Sequence, residues 1–172
     1  MLGLNPAAVS NLILTHCHID HIGSAPCFQK QYGTKILIHE LDAAAVEKGD
    51  ARKTAANWYG TTFPPTAVDQ KFKGEQEVLK FGQEELHSLH TPGHTPGSIS
   101  LYLDRAGKRV LFGQDIHGPF HKDFDSNIEV WKKSMRKLLG LNADILCEGH
   151  FGIFHSKERV RAYIERYLEE YE

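Results

Sequence analysis

The segment Asn11 to His21 (NLILTHCHIDH) narrows the choice of fold more than any other stretch of the chain. Leu12, Ile13 and Leu14 form a short apolar run that reads as a buried strand. It leads directly into His16-x-His18-x-Asp20-His21. Three imidazoles and a carboxylate then sit where a strand ends and a loop begins, which is where open α/β folds place ligands. Residues two apart on an extended segment point the same way, so His16 and His18 can reach one metal ion together. A turn over Ile19 to His21 would aim Asp20 and His21 at a neighbouring point. That donor set suits zinc or iron.

The pattern recurs three times. Thr91-Pro92-Gly93-His94-Thr95-Pro96-Gly97-Ser98 joins two predicted strands, and its two Pro-Gly steps make a stiff loop with His94 at the tip. Asp115 follows the apolar segment Arg109 to Gln114, and His150 follows Asp144 to Cys147 (DILC). One strand ending in a histidine is commonplace. Four strand ends with this chemistry point to a metal site.

Between these points the chain reads as one mixed α/β domain. Ser24 and Pro26 mark a helix start and Gly33 its end. Lys35 to His39 (KILIH) is a buried strand. Glu40 to Lys48 is a helix stopped by Gly49. Ala51 to Tyr59 has partial helical character, but the paired prolines of Gly60 to Thr66 (GTTFPPT) forbid a helix there. Four strands are predicted next, over Glu77–Phe81, Glu84–His90, Ser98–Leu103 and Lys108–Phe112, with a turn at Asp104 to Gly107. Ser126 to Leu139 is a helix opened by the capping box Ser126 to Glu129, with Ile128, Trp131, Met135 and Leu138 on one face. Ser156 caps a last helix striped with Val160, Tyr163, Ile164, Tyr167 and Leu168.

Composition excludes several classes. Hydrophobic residues make up 41% and charged residues 24%, and the net charge is -2. There is no basic stripe for nucleic acid and no polybasic segment for a membrane surface. No apolar run approaches a membrane span, and Met1 to Asn11 lacks the features of a signal peptide. Cys17, Cys27 and Cys147 do not make a disulfide framework; they read as small buried thiols in a reducing, cytoplasmic setting. Histidine is the outlier, with eleven in 172 residues. Of these, His39, His87 and His90 read as structural.

Thr15 to His21 (THCHIDH) matches T-H-x-H-x-D-H, the ligand motif of the metallo-β-lactamase superfamily, and the chain resembles that family from about Leu12 to Phe154. His94, Asp115 and His150 keep the family's later ligand order. The resemblance implies an αββα sandwich. It implies that His16, His18 and His94 bind one metal, that Asp20, His21 and His150 bind a second, and that Asp115 bridges both. A hydroxide between the ions would be the nucleophile, with Asp20 holding it and shuttling its proton. Two Zn2+ are the implied cofactors, with iron or manganese left open. Two divalent ions against Asp20, Asp115 and hydroxide leave the site about singly positive, which favours a small anionic or strongly polarised substrate.

The implied activity is glyoxalase-II-like hydrolysis of an ester, thioester or lactone. The same fold also carries an iron-dependent oxidoreductase reading (persulfide dioxygenase-like or diiron) and a metallo-nuclease reading. A partner-binding remnant without activity is a further alternative. Tyr59, His117 and His121 are the candidate substrate contacts, though each also reads as an ordinary side chain of its segment. Family members normally place strand hairpins ahead of the motif, and only fifteen residues precede His16. The expectation is therefore a sandwich partial at its N-terminus. Its open sheet edge would be covered by a complementing chain or a second copy.

Overall fold

A computed structural model describes residues 3–171. They form two compact units, one running up to Lys73 and the other starting at Gly74.

The first unit carries three parallel strands, β1 (Asn11–Ile13), β2 (Lys35–His39) and β3 (Gln70–Phe72), in that order across the sheet. Strand β2 is buried at every position after Lys35, which suits its nearly unbroken apolar sequence. Between the strands run α1 (Ile19–Ile22), α2 (Ala25–Tyr32) and α3 (Glu40–Lys48). Gly33 and Gly49 end α2 and α3 at φ of 67° and 62°, the left-handed C-cap that glycine adopts without a Cβ penalty. Ser24 stands at the N-cap of α2 but makes no side-chain cap bond there. Ile22, Ile36, Ile38, Val46, Leu14 and Phe63 form the core. Of the stretch with partial helical character, only Ala56–Tyr59 is helical, as a single 3-10 turn.

Strand β3 was not visible in the sequence. It has three residues, and Phe72 alone is buried. Its register comes from Asp69, whose Oδ2 accepts the Ile36 N–H (2.8 Å) while its own N–H donates to the Ile36 carbonyl (2.9 Å).

The second unit is a six-stranded sheet in chain order: β4 (Gln76–Phe81), β5 (Glu84–His90), β6 (Ile99–Arg105), β7 (Lys108–Gln114), β8 (Ile145–Glu148) and β9 (Gly152–His155). Neighbours are antiparallel except β7 and β8, which are parallel. A parallel pair needs a crossover, and α4 (Ile128–Gly140) lies in it. Ala106 and Gly107, both at positive φ, close the tight β6–β7 hairpin. Helix α5 (Lys157–Glu170) follows β9. Trp131, Met135 and Leu138 of α4 and Val160, Tyr163, Ile164, Tyr167 and Leu168 of α5 share one core with Leu111 and Leu146. Ile128 is only partly buried, at the rim of that core.

Three local expectations change. The N-cap of α4 is Asn127, whose Oδ1 accepts the Val130 N–H (3.1 Å), and Ser126 is engaged elsewhere. Strand β9 went unseen because three of its four residues are exposed and it has no alternating pattern. Cys27 is exposed, on the outer side of α2, and Cys147 is only partly buried; Cys17 alone is fully buried. Among the described residues no helix is long and apolar enough to cross a membrane.

Candidate metal centre

In the first unit the chain leaves β1 at Ile13, bends over residues 15–17 and enters α1 with His18 at the N-cap. His16, His18 and His21 form a cluster, with the His16 ring 4.7 Å from that of His18 and 4.3 Å from that of His21. Asp20 joins it through Oδ2, 3.7 Å from His21 Nε2. The bend has its own anchors. The Cys17 N–H donates to Asp42 Oδ2 (3.0 Å), the Cys17 thiol to the Lys53 carbonyl (3.3 Å) and the Ile19 N–H to the Thr54 carbonyl (2.8 Å). Thr15 Oγ1 lies 3.2 Å from His16 Nδ1. Burial, with His21 beside it, pushes the His18 imidazole down to a pKa of about 3, so at neutral pH it is an uncharged ring able to coordinate. Cys17 is turned into the core, and burial and the nearby Asp42 raise its pKa well above the ordinary thiol value.

The second unit presents Asp115 between two imidazoles. Oδ2 faces His94 Nε2 at 3.4 Å, and Oδ1 faces His150 Nε2 at 3.3 Å. The His94 tautomer follows from its other nitrogen. Nδ1 is 2.9 Å from the Pro119 carbonyl, which can only accept, so Nδ1 carries the hydrogen. In the neutral ring Nε2 is then a lone pair aimed at a carboxylate oxygen. Two acceptors at that distance repel unless a proton or a cation lies between them, and a metal ligated by both suits that arrangement.

The loops that carry these groups are strapped by α4. The Ser126 hydroxyl donates to the His94 carbonyl (2.6 Å), the Asn127 N–H to the Gly93 carbonyl (2.8 Å) and the Ser134 hydroxyl to the Pro92 carbonyl (2.7 Å). Trp131 Nε1 donates to the Ile116 carbonyl (3.1 Å), just past Asp115. Gly93, at φ 137°, lies so close to α4 that a Cβ there would sit 2.3 Å from Trp131 Cβ. At the end of β7 a register shift and the left-handed Gln114 (φ 54°) turn the chain so that Asp115 leaves the sheet immediately.

Two functional-looking residues escaped the sequence reading. Asp42 lies on α3, remote in sequence from the ligand bend that it anchors, and no local pattern marks it. Glu148 is the last residue of β8, and its wholly buried side chain meets His117 (Nδ1 to Oε1, 3.0 Å) and the backbone of the His150 turn. Burial works to raise its pKa, but the His117 and backbone hydrogen bonds prevail and hold it below the ordinary glutamate value. A carboxylate two residues before a candidate ligand histidine was the available signal. Of the three candidate substrate contacts, His117 is engaged with Glu148. His121 caps the 3-10 turn Lys122–Phe124, its Nδ1 accepting from the Asp123 N–H (3.2 Å). Tyr59 is 60% exposed beside the exposed Trp58. His90 Nε2 donates to the Pro96 carbonyl of its own loop (2.9 Å), and His87 stacks on Tyr102.

The sequence profile of the metallo-beta-lactamase superfamily matches residues 1–150. The chain belongs to the metallo-β-lactamase superfamily. Its superfamily relatives include an acyl-coenzyme A thioesterase of Gallus gallus, 28% identical over 170 residues (87% of this chain, 59% of that protein). Another is a hydroxyacylglutathione hydrolase of Haemophilus influenzae, 33% identical over 141 residues (78% of this chain, 65% of that protein). The chain thus spans about three fifths to two thirds of the length of these relatives. The metallo-β-lactamase fold is shared with solved structures. One is a metallo-β-lactamase from Cronobacter sakazakii (TM-score 0.81, 20% identity, 99% of this chain and 76% of that one). Another is a class B3 di-zinc metallo-β-lactamase from an Alaskan soil metagenome (TM-score 0.77, 21% identity, 98% and 72%).

Proposed function

We propose that this chain is a dinuclear metal-dependent hydrolase that cleaves a small ester, thioester or lactone of anionic character. The observation that carries the reading is the Asp115 carboxylate, with one oxygen turned to His94 and the other to His150. A carboxylate so placed has one oxygen for each of two ions. Under this proposal, as the resemblance implies, His16, His18 and His94 would hold the first ion, Asp20, His21 and His150 the second, and Asp115 both. Nitrogen and carboxylate donors without thiolate fit zinc, and also iron or manganese.

When bound, such a pair of ions supplies Lewis-acid polarisation of the carbonyl and acidification of the attacking water. The chain's own groups do the rest. Asp20, whose side chain is 27% exposed, would orient the water and accept its proton. Asp115 would hold both ions, one through each carboxylate oxygen. Tyr59, His117 and His121 are the proposed substrate contacts, and His117 offers Nε2 because Nδ1 is committed to Glu148. The thioester branch is favoured by the two relatives named for thioesterase and hydroxyacylglutathione hydrolase activity.

The test is turnover of acyl-thioester, ester and lactone panels by the zinc-loaded chain. Asp20→Ala and Asp115→Ala should each lower hydrolysis by about 100-fold or more, since removing a bridging or proton-accepting group costs more than loss of an outer partner. Undiminished turnover in either variant would sink the two-metal mechanism. Oxygen uptake with persulfide by an iron-loaded chain, without hydrolysis, would replace it with the oxidoreductase reading.

A further inference from the structure

We infer that Glu148 is a positioning residue for the second ion of the proposed pair, acting through the turn that carries His150. The inference rests on the dinuclear reading for its metal-binding consequence and on the structure for the clasp itself.

Among the three ligand-type residues of the second unit, His150 is held least by packing. Its side chain is 38% exposed, against 0% for His94 and 4% for Asp115. The turn around it, Gly149 to Phe151, is exposed throughout. An exposed turn has little packing to fix a side chain's position, so hydrogen bonds carry most of that task. Beneath it lies the wholly buried Glu148 carboxylate. Oε2 accepts the backbone N–H of His150 (2.7 Å) and of Phe151 (2.8 Å). Oε1 faces His117 Nδ1 at 3.0 Å, and since a carboxylate only accepts, the imidazole donates.

His117 belongs to the loop that follows Asp115, so one carboxylate ties the two loops together. The backbone repeats the tie. The Gly149 N–H donates to the Gln114 carbonyl (3.3 Å), and Gln114 and Glu148 are partners in the β7–β8 ladder. The His117 ring then stands edge-on to His150 (5.1 Å between centroids) and to Phe151 (4.8 Å). Burying a carboxylate under a solvent-exposed turn is costly unless its hydrogen bonds are used. Here two go to the His150 turn and one to the Asp115 loop. Glu148 therefore sets where His150 Nε2 stands relative to Asp115 Oδ1, and with it the affinity for the ion those two share. His94 has its own anchors on Pro119 and Ser126, so the first ion does not depend on this clasp.

The experiment compares the parent chain, Glu148→Gln and His117→Phe. Zinc content is followed during dialysis against graded chelator, with thermal midpoints recorded. Exchange of the His150 and Phe151 amide hydrogens is measured in the metal-free proteins. Glu148→Gln should weaken one zinc equivalent by about 10–100-fold, the range for lost ligand-orienting partners, and leave the other at the parent's affinity. Its His150 and Phe151 amides should exchange faster. His117→Phe keeps a ring against Phe151 but loses the donor, and should shift the same equivalent by less.

A zinc-release curve for Glu148→Gln that overlays the parent's would overturn the inference. So would simultaneous loss of both equivalents. If the parent holds a single ion the dinuclear reading fails, and amide exchange then decides the clasp: unchanged protection in Glu148→Gln overturns it. If Glu148→Gln does not fold, an unchanged zinc-release curve for His117→Phe overturns it.

Discussion

Ser126 and Asn127 are neighbours that do different work. Asn127 caps α4 through Oδ1, whereas the Ser126 hydroxyl reaches back to the His94 carbonyl. The sequence reading placed the cap one residue early because Ser126-x-x-Glu129 has the spacing of a capping box. What it could not show is that a ligand loop distant in sequence would claim the serine. The two substitutions should therefore separate. Asn127→Ala is expected to cost about 1 kcal/mol of stability, the usual loss of an N-cap, with zinc affinity nearly unchanged. Ser126→Ala should spare the helix and weaken zinc retention instead, because it frees the backbone beside His94. Thermal melts and chelator titrations on both variants check this. Equal effects on both readouts would contradict the assignment. Cys27 teaches a related lesson: a cysteine's burial depends on the helix face it occupies, and α2 turns this one outward.

At the scale of elements, α4 is both core helix and scaffold. Its stripe was legible because a 3.6-residue period of large apolar side chains has few other readings. Its second role was not, since that rests on the Trp131 indole N–H and the Ser134 hydroxyl meeting carbonyls of two separate loops. Trp131 is wholly buried. Trp131→Ala should cost about 3–5 kcal/mol through the cavity left behind, read as a lower denaturant midpoint. A cost under about 1 kcal/mol would mean that the helix does not bear on this core. The strands divide along the same line. Buried strands such as β2 announce themselves by apolar runs. Strands β3 and β9 are short and mostly exposed, so no apolar run announces them.

For the whole molecule, the candidate ligand residues stand out in the sequence because donor side chains crowd at strand ends and the resemblance supplies their order. The groups packed around them do not, because Asp42 and Pro119 act across sequence gaps with no shared motif and the tie from Glu148 to His117 is equally remote in sequence. Fold similarity over 99% of the chain accords with the metallo-β-lactamase architecture expected from the motifs. The central claim is that Asp115 serves two ions. It is tested most directly by elemental analysis of the purified chain and of its Asp115→Ala variant after loading with zinc and removal of excess. About two zinc per chain for the parent, and one or fewer for the variant, is the result the two-metal site predicts. A parent that holds one ion or none, or a variant that still holds two, would contradict it.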